Sequence, residues 1–113
     1  MEEWGSNIQL LLDMDVELPN SKLIPLKILG DTGAQANLVR RGAISPFLWQ
    51  RARNPVRLVT SNSSTLAGGD HTINLGLFFI AVEDGYTLPE PLYMEAEFYS
   101  ADIEVDAICP TPG

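Results

Sequence analysis

The chain has 113 residues, of which 45% are hydrophobic and 19% are charged, a composition typical of one globular domain, which we place over residues 1–113. Acidic residues number 15 against 7 lysines and arginines, giving a formal net charge of −8 and excluding the basic footprint of a general nucleic-acid binder. The single cysteine, Cys109, excludes an intrachain disulfide. No segment has the pattern of a signal peptide or of a membrane span, so we expect no membrane partner.

Alternation of hydrophobic and polar residues dominates the first part of the chain. Residues 8–18 predict a half-buried strand, and a turn at 19–21 separates it from a second strand at 23–29. Pro25 within that second strand favours an edge or a bulge. A short strand is predicted at 37–39. The inward face predicted for the first strand consists of Ile8, Leu10, Leu12, Met14, Val16 and Leu18.

The middle of the chain predicts a hairpin. Residues 43–49 are compatible with one helical turn or with an irregular loop. The hairpin covers about residues 56–82, with one arm at 56–60, a polar tip, and a long second arm from His71 to about Val82. The inward face of the second arm consists of Ile73, Leu75, Leu77 and Phe79.

The last third predicts a turn at 83–85, a strand at 91–99 and a final strand at 103–108. In the strand at 91–99, Leu92, Met94, Ala96 and Phe98 alternate with polar residues and tyrosines. The terminal sequence PTPG is not expected to be regular structure. Many short strands with almost no helical period predict an all-β fold, a sandwich or a barrel.

One short motif carries chemistry. Residues 28–38 read ILGDTGAQANL, in which a hydrophobic strand ends at Asp31 and continues through Thr32 and Gly33. Asp and Gly favour turns by themselves, so a strand-ending turn is one interpretation. The other is a carboxyl group that is held at the strand end for catalysis.

The sequence DTGA at 31–34 resembles the signature of the retroviral-type aspartic proteases, the retropepsins, in which an apolar strand is followed by Asp-Thr/Ser-Gly-Ala/Ser. Residues 58–69, LVTSNSSTLAGG, resemble the flap of that family. Residues 105–108, VDAI, resemble its second signature. In this order the matches cover about residues 8–109, and they are most similar in character to the proteases of long-terminal-repeat retrotransposons.

The resemblance implies a small closed β-barrel with a flap hairpin and an aspartic endopeptidase that cleaves a retroelement-type polyprotein. One DTG per chain is half a site, so a homodimer would bring two Asp31 carboxyls together to activate a water molecule and protonate the scissile carbonyl. Thr32 would stiffen the paired loops, and Gly33 would let the backbones approach closely. No cofactor and no metal are implied. The expected partners are an extended peptide or polyprotein and a second copy, in the cytoplasm or in a retroelement particle.

By position, the resemblance assigns substrate contacts to residues around the acid, at the flap tip and in the second signature. These are Leu29, Ala34, Gln35, Ala36, Ser61, Asn62, Ser63, Val105 and Ala107.

The chain also departs from the family pattern. Gly30 stands where a bulky aliphatic residue is usual, Ser63 replaces the flap glycine, and Cys109 replaces the glycine that ends the second signature. Pro110 follows where the C-terminal helix of the family would begin, so that helix is not expected. The rival interpretation is a non-catalytic retropepsin-fold module that binds peptides or assists assembly. A third interpretation is an unrelated β-barrel with a coincidental turn.

Other notable residues are interpreted structurally. Asp106 is expected to bond local backbone, His71 to be an exposed hairpin residue, and Cys109 to be a small buried residue without a histidine partner. Trp4 and Trp49 are expected to fill the core or an interface. A group of arginines after the motif predicts a solvated face, with contact to an acidic substrate segment as the less favoured alternative. The group consists of Arg40, Arg41, Arg51, Arg53 and Arg57.

Overall fold

A computed structural model describes residues 9–31, 34, 36–59, 65–79, 82–87 and 90–110. These residues form strands and two short 3-10 turns, and within them there is no α-helix, so the all-β prediction is confirmed. Nor does this part of the chain contain a helix long and apolar enough to cross a membrane. The strands are β1 (Gln9–Glu17), β2 (Leu23–Asp31), β3 (Leu38–Arg40), β4 (Gln50–Arg51), β5 (Leu58–Val59), β6 (Thr65–Leu66), β7 (Gly68–Phe79), β8 (Val82–Glu83), β9 (Tyr86–Thr87), β10 (Leu92–Ala101) and β11 (Ala107–Pro110).

Seven strands form one sheet in the order β1-β2-β11-β3-β10-β7-β4. β1 also pairs with β7, through Val16 opposite Leu77 and Glu17 opposite Gly76, so that the strand pairings return to the strand from which they began. Most of the ladders are antiparallel, but β11 runs parallel to β2 and β10 runs parallel to β3. Two small ladders, β5 with β6 and β8 with β9, complete the described strands.

The core lies on the inward faces that the alternation predicts. Val16, Val39, Leu75 and Phe98 are fully buried, and they come from four different strands of the large sheet. In β7, Ile73, Leu75 and Leu77 belong to this core, as the alternation along the strand predicts. The predicted strands at 8–18, 23–29, 37–39 and 91–99 are therefore confirmed within the described residues, while the side chains of Ile8 and Phe79 lie outside the description.

One part of the predicted inward face is exposed. Leu10 and Leu12 of β1, and Leu92 and Met94 of β10, have 39–58% of their surface exposed although they alternate correctly with polar residues. The alternation sets which face a side chain occupies, but burial also requires another layer over that face. Among the described residues, β7 pairs with β1 only near the far end of that strand. The prediction that the whole face is buried was wrong for this end of the sheet.

The predicted hairpin is present, but it begins earlier than expected. Its arms pair at Gln50–Arg51 with His71–Thr72 and again at Leu58–Val59 with Thr65–Leu66. Between these ladders the Val56 N–H donates to the Gly69 carbonyl at 3.0 Å. Gly69 has φ +81°, and a Cβ there would stand 2.1 Å from the Val56 carbonyl oxygen, so only glycine fits this close approach. The tip, residues 60–64, lies outside the described residues.

The final part of the chain differs from the prediction in two places. The last strand begins at Ala107 rather than at residue 103, and it includes Pro110, which was expected to be irregular. Proline can end a strand because only the ladder bond from its missing N–H is lost. The predicted turn near residue 84 joins β8 to β9, and Asp84 and Gly85 both have positive φ, as a two-residue Asp-Gly hairpin turn requires.

Candidate functional site

Asp31 is the last residue of β2, and strands lie on both sides of it. Gln9 of β1 is its partner in one ladder, and Pro110 of β11 is its partner in the other. Its carbonyl oxygen accepts a hydrogen bond from the Ala34 N–H at 3.1 Å. Asp31 is half-buried. Thr32 and Gly33, the other residues of the motif, lie outside the described residues.

β11 brings the second motif-like segment to the strand that carries the acid. It lies between β2 and β3, the two strands that flank the 31–37 segment. Ala107 and Ile108 pair with Ile28 and Leu29 on the β2 side. The same two residues pair with β3 on the other side. Two motif-like segments about 75 positions apart in the chain are therefore neighbours in the sheet.

Asp106 joins these three strands through its carboxylate and its carbonyl. One carboxylate oxygen accepts from the Lys27 N–H of β2 at 2.9 Å, and the other accepts from Arg40 of β3 at 3.0 Å. The Arg40 N–H also donates to the Asp106 carbonyl at 2.7 Å. The structural role predicted for Asp106 is present, but its backbone partner is distant in sequence rather than local. The sequence could not identify that partner, because strand order was unknown.

The electrostatics of Asp106 follow from these contacts. The hydrogen bond from the Lys27 N–H, followed by that from the Arg40 guanidinium, lowers the pKa of the Asp106 carboxyl below its ordinary value. Arg40 is half-buried in this ion pair, so its assignment to a solvated face was wrong. Arg41, Arg51, Arg53 and Arg57 are exposed as expected.

Gly30 and Cys109, two residues that depart from the retropepsin pattern, are neighbours in the sheet. Gly30 of β2 and Cys109 of β11 are direct partners in the parallel ladder, so their side-chain positions lie on the same face. A missing side chain at residue 30 is thus next to an additional one at residue 109. Cys109 packs against the core, and burial raises the pKa of its thiol to about 11. The thiol is therefore protonated at neutral pH and acts as a small packing group.

The remaining candidate residues are distributed unevenly. Leu29, Ala34, Ala36 and Val105 are half-buried near the two motif-like segments, whereas Ala107 is fully buried in the core. The other candidates lie outside the described residues; they are Gln35, Ser61, Asn62 and Ser63.

Asn37 lies near the candidate site, although the sequence predicted for it only a position in a strand. Its side-chain amide donates to the Glu97 carbonyl at 3.3 Å, and its carbonyl accepts from the Tyr99 N–H at 2.9 Å. These bonds fix the end of the segment after Asp31 onto β10. An asparagine between an acidic turn and a strand is the one signal that could have indicated this role.

His71 and Trp49 lie on the hairpin side of the molecule, away from Asp31. His71 is half-buried rather than exposed, because β4 pairs directly beside it and Trp49 packs nearby against the core. Trp49 thus fills the core edge as predicted, while Trp4 lies outside the described residues. In the part of the chain that the structure describes, no three His, Cys, Asp or Glu side chains are grouped closely enough to hold a metal ion.

Comparison with models of protein families, with curated proteins and with solved structures finds no match to this chain.

Proposed function

We propose that the chain is a retropepsin-like aspartic endopeptidase whose β-sheet is a small closed barrel and whose substrate is an extended segment of a retroelement-type polyprotein. The observation that carries this proposal is the position of β11 beside the strand that ends at Asp31. Two separate segments resemble retropepsins, the acidic motif at 31–34 and the second signature at 105–108. The ladder between β2 and β11 brings them next to each other. A coincidental strand-ending turn gives no reason for that arrangement.

One chain contributes one carboxyl group to such a mechanism. Peptide hydrolysis without a metal or a covalent intermediate needs one group to accept a proton from water and another to donate one to the carbonyl oxygen. Asp106 is already held by Lys27 and Arg40, so it is not available as the second group. A second copy of Asp31, supplied across a two-fold axis, is the simplest partner.

The surface beside Asp31 supports association of two copies. Leu10 and Leu12 are exposed on the same face of β1, and they pair with Gly30 and Ile28, which precede the acid in β2. Exposed leucines that lie together on one face of a sheet favour burial against another protein surface. A homodimer that covers this end of β1 would also bring the two Asp31 strand ends toward one another.

A non-catalytic peptide-binding or assembly module remains the second candidate function. The observation that favours it is Pro110, which continues β11 beside Asp31 where the family resemblance would begin a helix. A strand in place of the helix changes the surroundings of Asp31. Such a change would remove hydrolysis and leave peptide binding intact.

The test is cleavage of casein and of a peptide library at about pH 5, where a pair of carboxyls can share one proton. We expect cleavage that pepstatin inhibits and that Asp31→Asn lowers by roughly 1,000-fold. Asp13→Asn, a change at an exposed carboxylate on the same sheet, is the matched control and should retain activity. Cleavage that survives Asp31→Asn would contradict the mechanism, whereas saturable peptide binding without cleavage would support the second candidate.

A further inference from the structure

β10 has an open edge on the side away from β7. β7 pairs with it from Leu92 onward, whereas β3 pairs with its other side only from Tyr99 to Ala101. Among the described residues, no strand lies on that second side next to residues 92–97. We call this side of residues 92–97 the β10 edge. An uncovered strand edge is a template for another extended chain.

The contacts of Asn37 identify the backbone groups that point to the β10 edge. Its carbonyl accepts from the Tyr99 N–H at 2.9 Å, and its side-chain amide donates to the Glu97 carbonyl at 3.3 Å. Backbone groups of alternate residues point to the same side of a strand, and the register with β7 shifts only beyond Tyr99. The N–H and carbonyl groups of Tyr93 and Glu95 therefore point to the β10 edge, where no described residue bonds to them.

The side chains along the β10 edge alternate between acidic and apolar. Glu95 and Glu97 are exposed on the outer face, and neither takes part in an ion pair among the described residues. Met94 is exposed and Ala96 is half-buried on the inner face, the face that packs against the core. Side chains opposite each other on neighbouring strands interact, so a strand added here is favoured by basic residues opposite the glutamates and by apolar residues opposite Met94.

A second copy of this chain fits the β10 edge less well than a basic segment does. It would bring its own Glu95 and Glu97 to the same short ladder, and like charges at that range repel. The net charge of −8 also favours a basic partner over an acidic one.

We propose that the β10 edge binds an extended peptide in which basic and aliphatic residues alternate, added to the sheet as a further strand. The peptide backbone bonds to Tyr93 and Glu95. Its Lys or Arg side chains lie opposite Glu95 and Glu97, and its aliphatic side chains cover Met94. This binding does not depend on the proposed protease function, because none of these residues is assigned to the Asp31 site.

The test measures the fluorescence anisotropy of fluorescein-labelled Gly-Lys-Val-Arg-Val-Lys-Gly, titrated with the full chain carrying Asp31→Asn so that no cleavage consumes the peptide. The alternation of this peptide is the same in both directions, so it suits a parallel or an antiparallel strand. We expect saturable binding that is lost when glutamate replaces each basic residue and weakened when serine replaces each valine.

N-methylated peptides test whether the backbone forms the contact. Methylation removes a donor that faces β10, at the arginine for an antiparallel strand or at the valines for a parallel one. Loss of binding for at least one of these two peptides would support strand addition, and an unchanged Kd for both would overturn it. With the unmodified peptide bound, amide hydrogen exchange should slow at Tyr93 and Glu95 but not at Met94, whose N–H points to β7.

Two protein variants separate specific recognition from general attraction. The double variant Glu95→Gln with Glu97→Gln should raise the Kd roughly fivefold, because two exposed charge pairs are lost. The double variant Asp102→Asn with Glu104→Gln removes two charges from exposed residues beyond the other end of β10 and should leave the Kd unchanged. Equal increases in the Kd would show attraction to net charge only and would overturn the proposal.

Absence of saturable binding up to about 1 mM protein, an affinity too weak for a specific site, would also overturn the proposal. All of these measurements use the Asp31→Asn chain and none of them records cleavage. Failure here is therefore distinguishable from failure of the proposed protease activity.

Discussion

β1 has two halves with the same alternation of hydrophobic and polar residues but with different surroundings. Val16, in the second half, is fully buried where β1 pairs with β7, whereas Leu10, in the first half, is 58% exposed beside Gly30. The exposed half is the one that pairs with the end of β2 at Asp31. We call the half of β1 that pairs with β7 the closed end, and the half next to Asp31 the open end. The closed end stabilises the single chain, and the open end is where we expect a second copy to bind.

The largest effect should come from the closed end. Phe98→Ala removes a fully buried ring from the core and should lower the free energy of unfolding by about 4 kcal/mol, because both transfer energy and a cavity contribute. Urea unfolding measures this change. Phe47→Ala is the matched control, since Phe47 is 93% exposed, and it should change the same quantity by less than about 0.5 kcal/mol. Similar losses for both variants would contradict the assignment of the core.

Asp106, which joins β2 and β3, should give the next largest effect on the free energy of unfolding. Asp106→Ala leaves the Lys27 N–H and the half-buried Arg40 without their acceptor, and should cost about 2 kcal/mol. Because the pKa of Asp106 is lowered in the folded chain, its contribution is complete above about pH 4 and is lost as the pH falls through the lowered value.

Asp106→Asn should therefore flatten the loss of stability in acid, as measured by urea unfolding at stepped pH values. Asp13→Asn is the control, because Asp13 is exposed and lies 3.9 Å from Lys27 Nζ without a close contact. An unchanged acid dependence in Asp106→Asn would contradict the role of the Asp106 carboxylate in joining β2 and β3.

The Gly30–Cys109 pair should show a smaller, coupled effect. Cys109→Gly leaves a gap and should cost about 1 to 2 kcal/mol, and Gly30→Val crowds the same space at a similar cost. The double variant should recover about 1 kcal/mol relative to the sum of the two losses, because one change fills the space that the other leaves. Strict additivity in urea unfolding would show that the two departures are independent.

The open end should give the smallest effect on the single chain. Leu10→Lys should change the free energy of unfolding by less than about 0.5 kcal/mol, since the residue is exposed, but it should weaken self-association in light scattering over a range of concentrations. Leu23→Lys is the matched control, with 57% exposure at the other end of the β1–β2 ladder. Equal effects of the two variants on association would place the interface elsewhere.

Much of the fold follows from local sequence. Alternation predicted the main strands and their inward faces, and glycine and proline marked most of the turns. The small β8–β9 hairpin was missed because its arms have two residues each, although Asp84-Gly85 is a strong turn signal. The end of the last strand was missed because Pro110 indicates irregular structure unless its neighbours are known.

Strand order and long-range partners could not be predicted. The position of β11 between β2 and β3, and the partners of Asp106, depend on which strands meet, and the period of a sequence contains no such information. The partial burial of Arg40 and His71 depends on strand order in the same way. The exposure of Leu10 was missed for the opposite reason, since alternation identifies a face but not whether another layer covers it.

The most direct test of the central claim is cleavage by mixtures of wild-type and Asp31→Asn chains at constant total concentration. If the site needs Asp31 from two chains, an equal mixture should retain about a quarter of the wild-type rate, because only that fraction of random pairs carries both carboxyls. If each chain acts alone, about half of the rate should remain, because the variant chains then only dilute the active ones. A quarter would support the paired carboxyl site, and a half would contradict it.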